Sequence, residues 1–444
     1  MASSISKIIM GAMVVVGFSS CHERPVVLNV VDPGHFHASL LQKSRLEGVD
    51  EKVRVYAPEG EELEQYLATI EGYNTREQNP TSWKEDVYAG SDYLEHLPVN
   101  ENGDVVMLAG NNAKKTDYIL TAVERGYNVL SDKPLAIDSR GWDLLQRAYV
   151  EAANHNLVIY DLMTERYDIV NLIVKDILAD PSIFGTFDYS AAPTVQMTSV
   201  HHFYKEVGGT PLVRPQWYYD VRQQGEGIAD VTTHLIDLVF WQCFPQKTIT
   251  TDKVEVTAAS HYPTWISREQ FARSTGAADF PDFLKGIERN GAIPVMSNGS
   301  LDFKVNGLPV QMKVLWNWTP QSGSSDTFEA VYKGDRSVVT IRQDASTGFV
   351  KQISMTTNLE YAANRLRTVL GQKYPGTSLK EVNGEYVVVI PSDLRIGHED
   401  HFNMVAAQFL KYIRGEEKMP EWESQNTLSK YYITTKAVEM ASAK

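Results

Sequence analysis

The chain has 444 residues, of which 43% are hydrophobic and 22% are charged. This length and composition predict a globular protein with more than one domain and enough apolar material for buried cores. Because 56 acidic residues stand against 42 basic ones, the net charge is -14, and no excess of cations is available to neutralise a phosphate backbone. Nucleic acid is therefore not an expected partner.

Residues 1–20 have the pattern of a secretory signal peptide. Lys7 supplies the positive charge, and the apolar run IIMGAMVVVGF after it is too short to span a bilayer permanently. Ser19 and Ser20 precede Cys21, an arrangement that resembles a bacterial lipobox. We expect lipidation of Cys21 and an exported lipoprotein, periplasmic or anchored in the outer membrane or at the cell surface, with the lipid as its only membrane contact. The alternative is a plain signal peptide followed by a chance cysteine.

Strand-like and helix-like runs alternate from residue 21 to about residue 160. The first pairs are VVLNVV with HASLLQKSRL, KVRVYA with EELEQYLATI, and DVVMLAG with AKKTDYILTAVERG. The segments YNVLSDKPLAI, GWDLLQRAYVEAANHN and LVIYD continue the series. Such alternation predicts a Rossmann-like, doubly wound parallel sheet for residues 21–160, with ligands at the carboxyl ends of its strands.

Residues 161–444 have a different pattern, which predicts an α/β domain with a large open, mostly antiparallel sheet. The segment LPVQMKVLWNW alternates strictly between apolar and polar residues, and TFEAVYKGDRSVVTI indicates two strands around a turn. The wide apolar face needs a cover, either a helix or a second subunit, so we expect a homo-oligomer through the open sheet. HFNMVAAQFLKYIRG and NTLSKYYITTKAVEM are predicted helices that pack back to close the structure.

The turn after the first strand, in VLNVVDPGHFHASL, has the position of a dinucleotide-binding loop but lacks the G-x-G-x-x-G fingerprint. Only Gly34 remains. A helix starting near His35 would still present backbone amides to a pyrophosphate. Phe36, Leu40 and Leu41 have the spacing of core residues on that helix.

Two further signals indicate a catalytic site. Lys133 stands at the predicted carboxyl end of a strand, where a lysine can carry a proton during hydride transfer provided that burial or a neighbouring cation lowers its pKa toward neutrality. The alternative is an exposed turn, which most Lys-Pro pairs are. Asp230, His234 and Asp237 fall on one stripe of a predicted helix, and a carboxylate one turn from a histidine can orient its ring. The alternative for the stripe is an ordinary solvated helix face.

In combination, these segments resemble the Gfo/Idh/MocA family of oxidoreductases. The loop at residues 109–112 matches the family's Thr-Pro-Asn-type loop, and Asp132-Lys133-Pro134 matches its Glu-Lys-Pro. TERYDIVNLIVKDIL resembles the start of the second domain, and Asp230-x-x-x-His234 matches the catalytic Asp and His. The resemblance implies a Rossmann domain followed by an open-sheet α/β domain, and NAD(P)-dependent oxidation of a secondary hydroxyl of a sugar, glycoside or polyol.

The resemblance also implies roles for particular residues. Lys133 and His234 would handle the hydroxyl proton, and Asp230 would hold the arrangement together. The residues implied for binding NAD or NADP are Gly34, His35, Phe36, Gly110, Asn111, Asn112, Asp132, Lys133 and Pro134. Candidate substrate residues, some from the family match and some from the polar and aromatic segment SVHHFYKEVGGTPLVRPQWYYD, are Arg166, Tyr167, His201, His202, Lys205, Arg214, Trp217, Asp230 and His234. An ordinary polar loop is the alternative for that segment.

Two features depart from the family pattern. The glycine-rich turn is reduced to Gly34, and the acidic residue that often ends the second strand is replaced by VYAPEG, in which Glu59 could bind a ribose. As an alternative, a metal could take imidazoles from the pairs His35 and His37, His201 and His202, and His398 and His401, with Asp230 and His234 completing the shell. None of these pairs has a recognised spacing to a third ligand, so we expect no metal.

Export complicates a cofactor enzyme, because a free pool of NAD(P) is not expected outside the cytoplasm. The n-region MASSISK contains no arginine, so twin-arginine export of a folded, loaded protein is not predicted. The protein would have to acquire and keep its cofactor after export. Two alternatives to an oxidoreductase therefore stay open: an NAD-dependent glycosidase of the same fold, and a non-catalytic carbohydrate-binding lipoprotein on a decayed dehydrogenase fold.

Overall fold

A computed structural model describes residues 24–207 and 210–443. The predicted signal peptide and Cys21 lie outside the described residues. Within the described ranges, no helix combines the length and the apolar character needed to cross a lipid bilayer.

The amino-terminal domain is built on a six-stranded parallel sheet with the strand order β3-β2-β1-β4-β5-β6. Its strands are β1 Val26–Val31, β2 Val49–Ala57, β3 Lys84–Ala89, β4 Val105–Leu108, β5 Asn128–Ser131 and β6 Ile159–Asp161. The order reverses between β1 and β4, and such a reversal opens a crevice at the carboxyl ends of the two strands. The predicted Rossmann-like sheet is confirmed, and the edge strand β3 is an addition that the sequence did not suggest.

Four helices of the amino-terminal domain pack on this sheet. They are α1 His37–Leu40, α2 Glu61–Thr75, α3 Asn112–Glu124 and α4 Ser139–Asn154. Ile119 and Val123 of α3 are buried, and Gly126 follows the helix end with a φ of 85°, a conformation that glycine adopts without strain. By contrast, α1 has only four residues, and Phe36 before it is 52% exposed. The expected core position of Phe36 was wrong, whereas Leu40 and Leu41 are buried as expected.

The second domain contains a nine-stranded sheet with the order β10-β11-β12-β7-β13-β14-β15-β17-β16. Its strands are β7 Val195–His202, β10 Val254–Ser267, β11 Ala292–Val305, β12 Leu308–Asn317, β13 Thr327–Lys333, β14 Val338–Gln343, β15 Gln352–Thr356, β16 Ser378–Val382 and β17 Glu385–Val389; β8 Glu206–Val207 and β9 Thr210–Pro211 form a separate two-stranded ribbon. Only β12 and β7 pair in parallel. The expectation of a mostly antiparallel sheet is confirmed.

The remaining helices belong to the second domain and the carboxyl terminus. They are α5 Ile169–Ala179, α6 Val221–Gln224, α7 Gly227–Asp230, α8 Thr232–Cys243, α9 Arg268–Thr275, α10 Asp282–Lys285, α11 Glu360–Lys373, α12 His398–Ile413 and α13 Glu421–Ser442.

Helices of the same chain cover the apolar face of the large sheet. The alternating residues of β12 are buried, and several of them pack in one core with α5, α8 and α13. The cover is therefore intramolecular on this face. The sheet also exposes Tyr262 and Trp265 of β10, and a homo-oligomer stays a prediction.

The two carboxyl-terminal helices tie the domains together. Phe402 and Phe409 of α12 lie in the core beneath the parallel sheet, beside β1, β2 and β4. On α13, Tyr431 belongs to the other core of the amino-terminal domain, whereas Ile433 and Ala437 belong to the core of the second domain. The carboxyl edge of the parallel sheet is thereby held against the second domain.

Candidate active site

Lys133 and Asp230 form an ion pair at the junction of the two domains. Lys133 follows the carboxyl end of β5, Asp230 is the last residue of α7, and Nζ lies 2.6 Å from Oδ1. Burial acts to lower the pKa of Lys133, but the charges of Asp230 and Asp132 outweigh it and the pKa is raised. Burial acts to raise the pKa of Asp230, but the lysine charge and hydrogen bond lower it. Lys133 is therefore a cation held in place by a carboxylate.

His234 lies one helical turn beyond Asp230 and is bonded to neither member of the pair. Its Nδ1 is buried without a hydrogen-bond partner among the described residues. Burial, followed by the nearby Lys133 charge, lowers its pKa to about 3, whereas the Glu165 charge acts in the opposite direction. At neutral pH the imidazole is uncharged and has an unused ring nitrogen.

His234 lines a cavity of about 220 Å³ between α8 and the large sheet. Charged and polar groups on its wall include Glu165, His201, Asp326 and Lys351, and Phe328 contributes an aromatic ring. These groups offer both hydrogen-bond donors and acceptors around an apolar floor. The arrangement suits a small molecule that carries several hydroxyl groups.

Asp326, which no sequence motif singled out, binds the histidines of this wall. His202 Nδ1 lies 2.8 Å from its Oδ1, and Lys205 Nζ lies 2.6 Å from its Oδ2. His201 Nδ1 is 3.7 Å from the same carboxylate, and its Nε2 is 2.7 Å from Ser199 Oγ. Of the predicted substrate residues, His201 is thus brought to the cavity, and His202 and Lys205 are held behind it.

The third residue of the predicted stripe, Asp237, belongs to a buried ion network. Arg166 donates two hydrogen bonds of 2.7 Å to its carboxylate, and Lys430 donates a third of 3.0 Å. Arg166 also donates to Glu423 at 2.8 Å. Arg166, expected to bind substrate, is instead engaged with these carboxylates, and the partly buried Tyr167 packs against the core of the first domain. The structure places both behind the cavity.

The turn between β1 and α1 differs from the expected phosphate loop. The Gly34 amide donates to Asp32 O at 2.9 Å, and the His35 amide donates to Ala109 O at 3.1 Å, so neither is free. A Cβ at Gly110 would collide with the Asp32 carbonyl oxygen, so the two turns touch backbone to backbone. Since α1 is one turn long, the expected array of amides at a helix N-terminus is missing, and Phe36 instead lines the cleft.

A segment of the second domain covers this turn. The Trp217 ring lies against Gly34, where an added Cβ would be 3.5 Å from the indole Nε1. That Nε1 is buried and faces the Glu62 carboxylate, but makes no hydrogen bond of normal geometry. Arg214 donates to the carbonyl oxygens of Phe203 at 2.6 Å and of His202 at 3.1 Å. Arg214 also lines the cleft beneath this segment, and its role in substrate binding stays a prediction.

Beneath this segment lie two adjoining recesses of about 120 and 400 Å³, which share Glu62, Gln65 and Arg214. They lie along the crevice at the reversal of strand order, which is where doubly wound sheets bind dinucleotides. Lys114 and Asn111 supply polar groups to the larger recess, and the underused Trp217 Nε1 is available beside Gly34. Phosphate recognition in this cleft would rest on side chains rather than on a glycine-rich backbone. Glu59 lies in a small separate recess with Asp32 and Glu62.

The Asn pair after β4 links the domains. Asn111 Nδ2 donates to Gln223 Oε1 at 2.7 Å, and Asn112 Nδ2 donates to Gln224 O at 2.8 Å. The fully buried Lys115 donates to Asn112 Oδ1 at 2.6 Å and to the Asp132 carbonyl at 2.8 Å. Burial lowers its pKa to about 8 despite the nearby carboxylates. Lys115, which the sequence did not single out, positions both the Asn112 loop and the backbone before Lys133.

Three histidines from two parts of the chain gather next to this backbone. The Asp132 Oδ2 atom lies 2.9 Å from His37 Nδ1 and 3.4 Å from His35 Nδ1. On the other side of His37, Nε2 is 3.2 Å from His398 Nε2 at the start of α12. The expected cofactor residues His35 and Asp132 thus belong to a cluster beside the cleft.

Residues 173–442 match the family model described as "Putative oxidoreductase C terminal domain". The chain belongs to this family. A crystal structure of a "putative oxidoreductase" from Parabacteroides merdae is 40% identical to the chain and superimposes with a TM-score of 0.92. The match covers 95% of this chain and 98% of that one, so the similarity to this oxidoreductase extends through the amino-terminal domain.

More distant structures share the fold of this oxidoreductase family member. Levoglucosan dehydrogenase, in complex with NADH and levoglucosan, is 15% identical with a TM-score of 0.59, over 94% of this chain and 97% of that one. KijD10, a 3-ketoreductase from Actinomadura kijaniata in complex with NADP and TDP-benzene, is 11% identical with a TM-score of 0.55, over 92% and 95%. The family is thus one of oxidoreductases, and the fold is shared with these two enzymes. No curated protein matches the chain at a significant level.

Proposed function

We propose that this oxidoreductase uses NAD or NADP to oxidise a secondary hydroxyl of a sugar, glycoside or polyol. The observation that carries the proposal is the Lys133–Asp230 pair, which stands at the carboxyl edge of the parallel sheet beside the cavity that His234 lines. The cleft under Trp217 supports a dinucleotide in position and lining. Levoglucosan dehydrogenase and KijD10, which share the fold, were crystallised with NADH and NADP respectively.

The roles of the residues follow from their charges. A bound nicotinamide supplies the hydride acceptor. The Lys133 cation, fixed by Asp230, stabilises the negative charge that develops on the substrate oxygen as the hydride leaves carbon. His234 is uncharged and has an unused ring nitrogen, so it accepts the hydroxyl proton, and the Glu165 charge stabilises the imidazolium that forms. Reduction of a ketone is the same sequence in reverse.

The cavity supports a carbohydrate as the substrate class. Lys351 donates to Glu165 at 2.7 Å, and Asp326 is already bonded to His202 and Lys205. The remaining lone pairs of the two carboxylates face the cavity beside the Phe328 ring, which provides a flat apolar surface. Carboxylates that accept from neighbouring hydroxyls, together with an aromatic face, match the alternating polar rim and apolar faces of a sugar ring.

The decisive experiment measures the dinucleotide first and turnover second. Denatured purified protein is analysed for released NAD or NADP, and refolded protein is titrated with each by calorimetry. Lys133→Met is the matched variant, because it should keep dinucleotide binding while losing the oxidation of sugar substrates. If neither dinucleotide binds to the folded protein at millimolar concentration, the proposal is wrong.

One observation favours a second candidate, a non-catalytic carbohydrate-binding protein. The amides of Gly34 and His35 are consumed by internal hydrogen bonds, and Trp217 lies over the turn. In this alternative, sugars bind in the His234 cavity and the dinucleotide titration is silent. A glycosidase that oxidises its substrate transiently would instead bind NAD and release a free sugar without net reduction of the cofactor, which product analysis distinguishes.

The location of the protein rests on residues outside the described ranges. The Ser19-Ser20-Cys21 site after the apolar run supports lipidation of Cys21 and anchoring at a membrane surface. Cys21→Ser should release the protein into the soluble fraction, and mass spectrometry of the wild-type protein should find an acylated amino-terminal cysteine. Cleavage at another residue without an acyl chain would remove this part of the proposal.

A further inference from the structure

Three side chains converge at the carboxyl ends of β1 and β5. His35 and His37 come from the turn after β1, and Asp132 follows β5. Each offers one ligand atom, and the three atoms lie within 4.8 Å of one another. His35 and His37 are a candidate pair in the sequence, but Asp132 is distant in the chain and was matched to a cofactor motif instead.

The separations suit ligands of a single metal ion. The Asp132 Oδ2 atom is 2.9 Å from His37 Nδ1 and 3.4 Å from His35 Nδ1. Ligand atoms about 2.1 Å from a common metal are separated by about 3.0 Å at a right angle and by about 3.4 Å at a tetrahedral angle. Both measured distances fall at these values.

A hydrogen-bond network alone explains the cluster poorly. In the tautomer in which His35 Nδ1 accepts from the His37 backbone amide at 3.4 Å, Asp132 Oδ2 faces the same nitrogen at 3.4 Å with no proton between the two acceptors. In the other tautomer, His35 Nδ1 carries a proton toward Asp132 and the amide loses its acceptor. A metal cation between His35 Nδ1 and Asp132 Oδ2 removes the repulsion between these two acceptors. The 3.4 Å contact from the His37 amide is weak, so its loss on metal binding costs little.

The neighbouring cations do not neutralise the Asp132 carboxylate by direct contact. Lys115 donates to Asn112 Oδ1 and to the backbone carbonyl of Asp132, and Lys133 donates to Asp230. The carboxylate is 7% exposed, so solvent does not compensate its charge either, and a bound metal ion would.

A second-sphere partner and an open side complete the arrangement. His37 Nε2, the nitrogen opposite the ligand atom, is 3.2 Å from His398 Nε2, and such a partner fixes the ring of a metal-bound histidine. His35 is 25% exposed and lines the cleft beneath residues 212–218. A metal at this position has protein ligands on one side and the cleft on the other.

We propose that His35, His37 and Asp132 bind one divalent transition-metal ion, with His398 in the second sphere and the remaining coordination positions open to oxygen ligands in the cleft. Two imidazoles and one carboxylate are the donor set that Zn²⁺, Fe²⁺ and Co²⁺ accept. The three protein ligands are present without a cofactor, although His35 also lines the cleft proposed for the dinucleotide.

Metal binding is tested on the full-length mature protein without a dinucleotide. The protein is stripped with a chelator and titrated with Zn²⁺ by calorimetry and with Co²⁺ by visible absorption spectroscopy. We expect one ion per chain and a Co²⁺ spectrum of low coordination number. His35→Ala and His37→Gln should each weaken binding by more than about tenfold, and His398→Phe should weaken it by about tenfold.

His155→Ala is the matched control, because His155 is an exposed histidine that contacts only a carboxylate one turn away, and the variant should bind the metal as the wild type does. If His37→Gln does not fold, His35→Ala decides the result, since its side chain is the more exposed of the two. Failure of both ions to bind stoichiometrically, or unchanged affinity in His35→Ala, overturns the proposal and leaves a hydrogen-bond cluster. Dinucleotide titration of the stripped protein gives a separate result for the proposed function.

Discussion

The Nζ atom of Lys133 lies 2.6 Å from Oδ1 of Asp230, although 97 residues separate them in the sequence. The lysine belongs to the parallel sheet and the aspartate to the second domain, so the pair exists only when the domains are docked. This dependence ties the proposed catalysis to the domain interface.

Asp230→Asn should shift the pH dependence of turnover. Without the Asp230 charge, burial dominates and the pKa of Lys133 falls, so the lysine loses its proton at a lower pH. The alkaline limb of the kcat/KM profile should therefore move to lower pH, whereas Lys133→Met should reduce turnover by about 10²- to 10⁴-fold at every pH. Asp176→Asn, which removes a carboxylate from the exposed Lys373, is the control and should leave the profile unchanged. An unshifted limb in Asp230→Asn would contradict the assignment.

His234 should make the protein sensitive to mild acid. Its pKa is about 3 in the folded chain against an ordinary value of 6.5, so between these pH values the unfolded chain binds a proton that the folded chain does not. The free energy of unfolding therefore falls as the pH drops through this window. Between pH 7.5 and about 5, the free energy of unfolding of His234→Gln should fall by about 1–2 kcal/mol less than that of the wild type, and urea unfolding at the two pH values measures this difference. Equal losses in the two proteins would show that His234 is not protected from protonation.

Gly110→Ala should destabilise the protein and disturb the cleft. The new Cβ would meet the Asp32 carbonyl oxygen and push the two turns apart, at a cost of about 1–3 kcal/mol. Gly72→Ala is the control, because a Cβ there has no neighbour within 4 Å and lies in the last turn of α2, where alanine should stabilise by up to about 1 kcal/mol. Thermal unfolding and dinucleotide titration of both variants test this. A Gly110→Ala protein as stable as the wild type would mean that the turns separate without cost.

Lys430→Met should be one of the most destabilising substitutions in the chain. Lys430 is 1% exposed and lies 2.9 Å from Asp161 and 3.0 Å from Asp237, so its removal leaves buried carboxylates short of a partner. The expected loss is about 3–5 kcal/mol. Lys373→Met removes an exposed pair with Asp176 and should cost less than about 1 kcal/mol. Chemical denaturation of the two variants measures the difference, and similar losses would argue against a buried network.

Where periodicity is strong, the fold follows from the sequence. Leu308, Val310 and Met312 alternate in β12 as expected, and the helices and strands of the first domain fall in the predicted order. The edge strand β3 was missed because its residues are mostly exposed and carry no apolar alternation. The early end of α1 was not predicted, because Leu40 and Leu41 have the apolar spacing of a longer helix although the helix ends after one turn.

Local motifs in the sequence identified Lys133 and Asp230 as site residues. They did not identify the other residues that line the His234 cavity. Asp326, Glu165 and Lys351 reach the His234 cavity from three distant segments, and no spacing in the sequence connects them. Arg166 was matched to a site because of its neighbours in the sequence, whereas its partners Asp237 and Glu423 are fixed only by tertiary packing. Pairings of this kind depend on the fold and leave no local pattern.

The amino-terminal domain cannot complete its cores until helices α12 and α13 are present. Phe402 and Phe409 complete a core whose other members lie near the beginning of the chain, and Tyr431 does the same for a second core. A nascent amino-terminal domain therefore exposes apolar surface until the end of the polypeptide emerges, whether from the ribosome or from an export channel. A truncation before α12 would remove packing partners from the cores of both domains. Premature stop codons late in the gene should therefore prevent folding as early ones do.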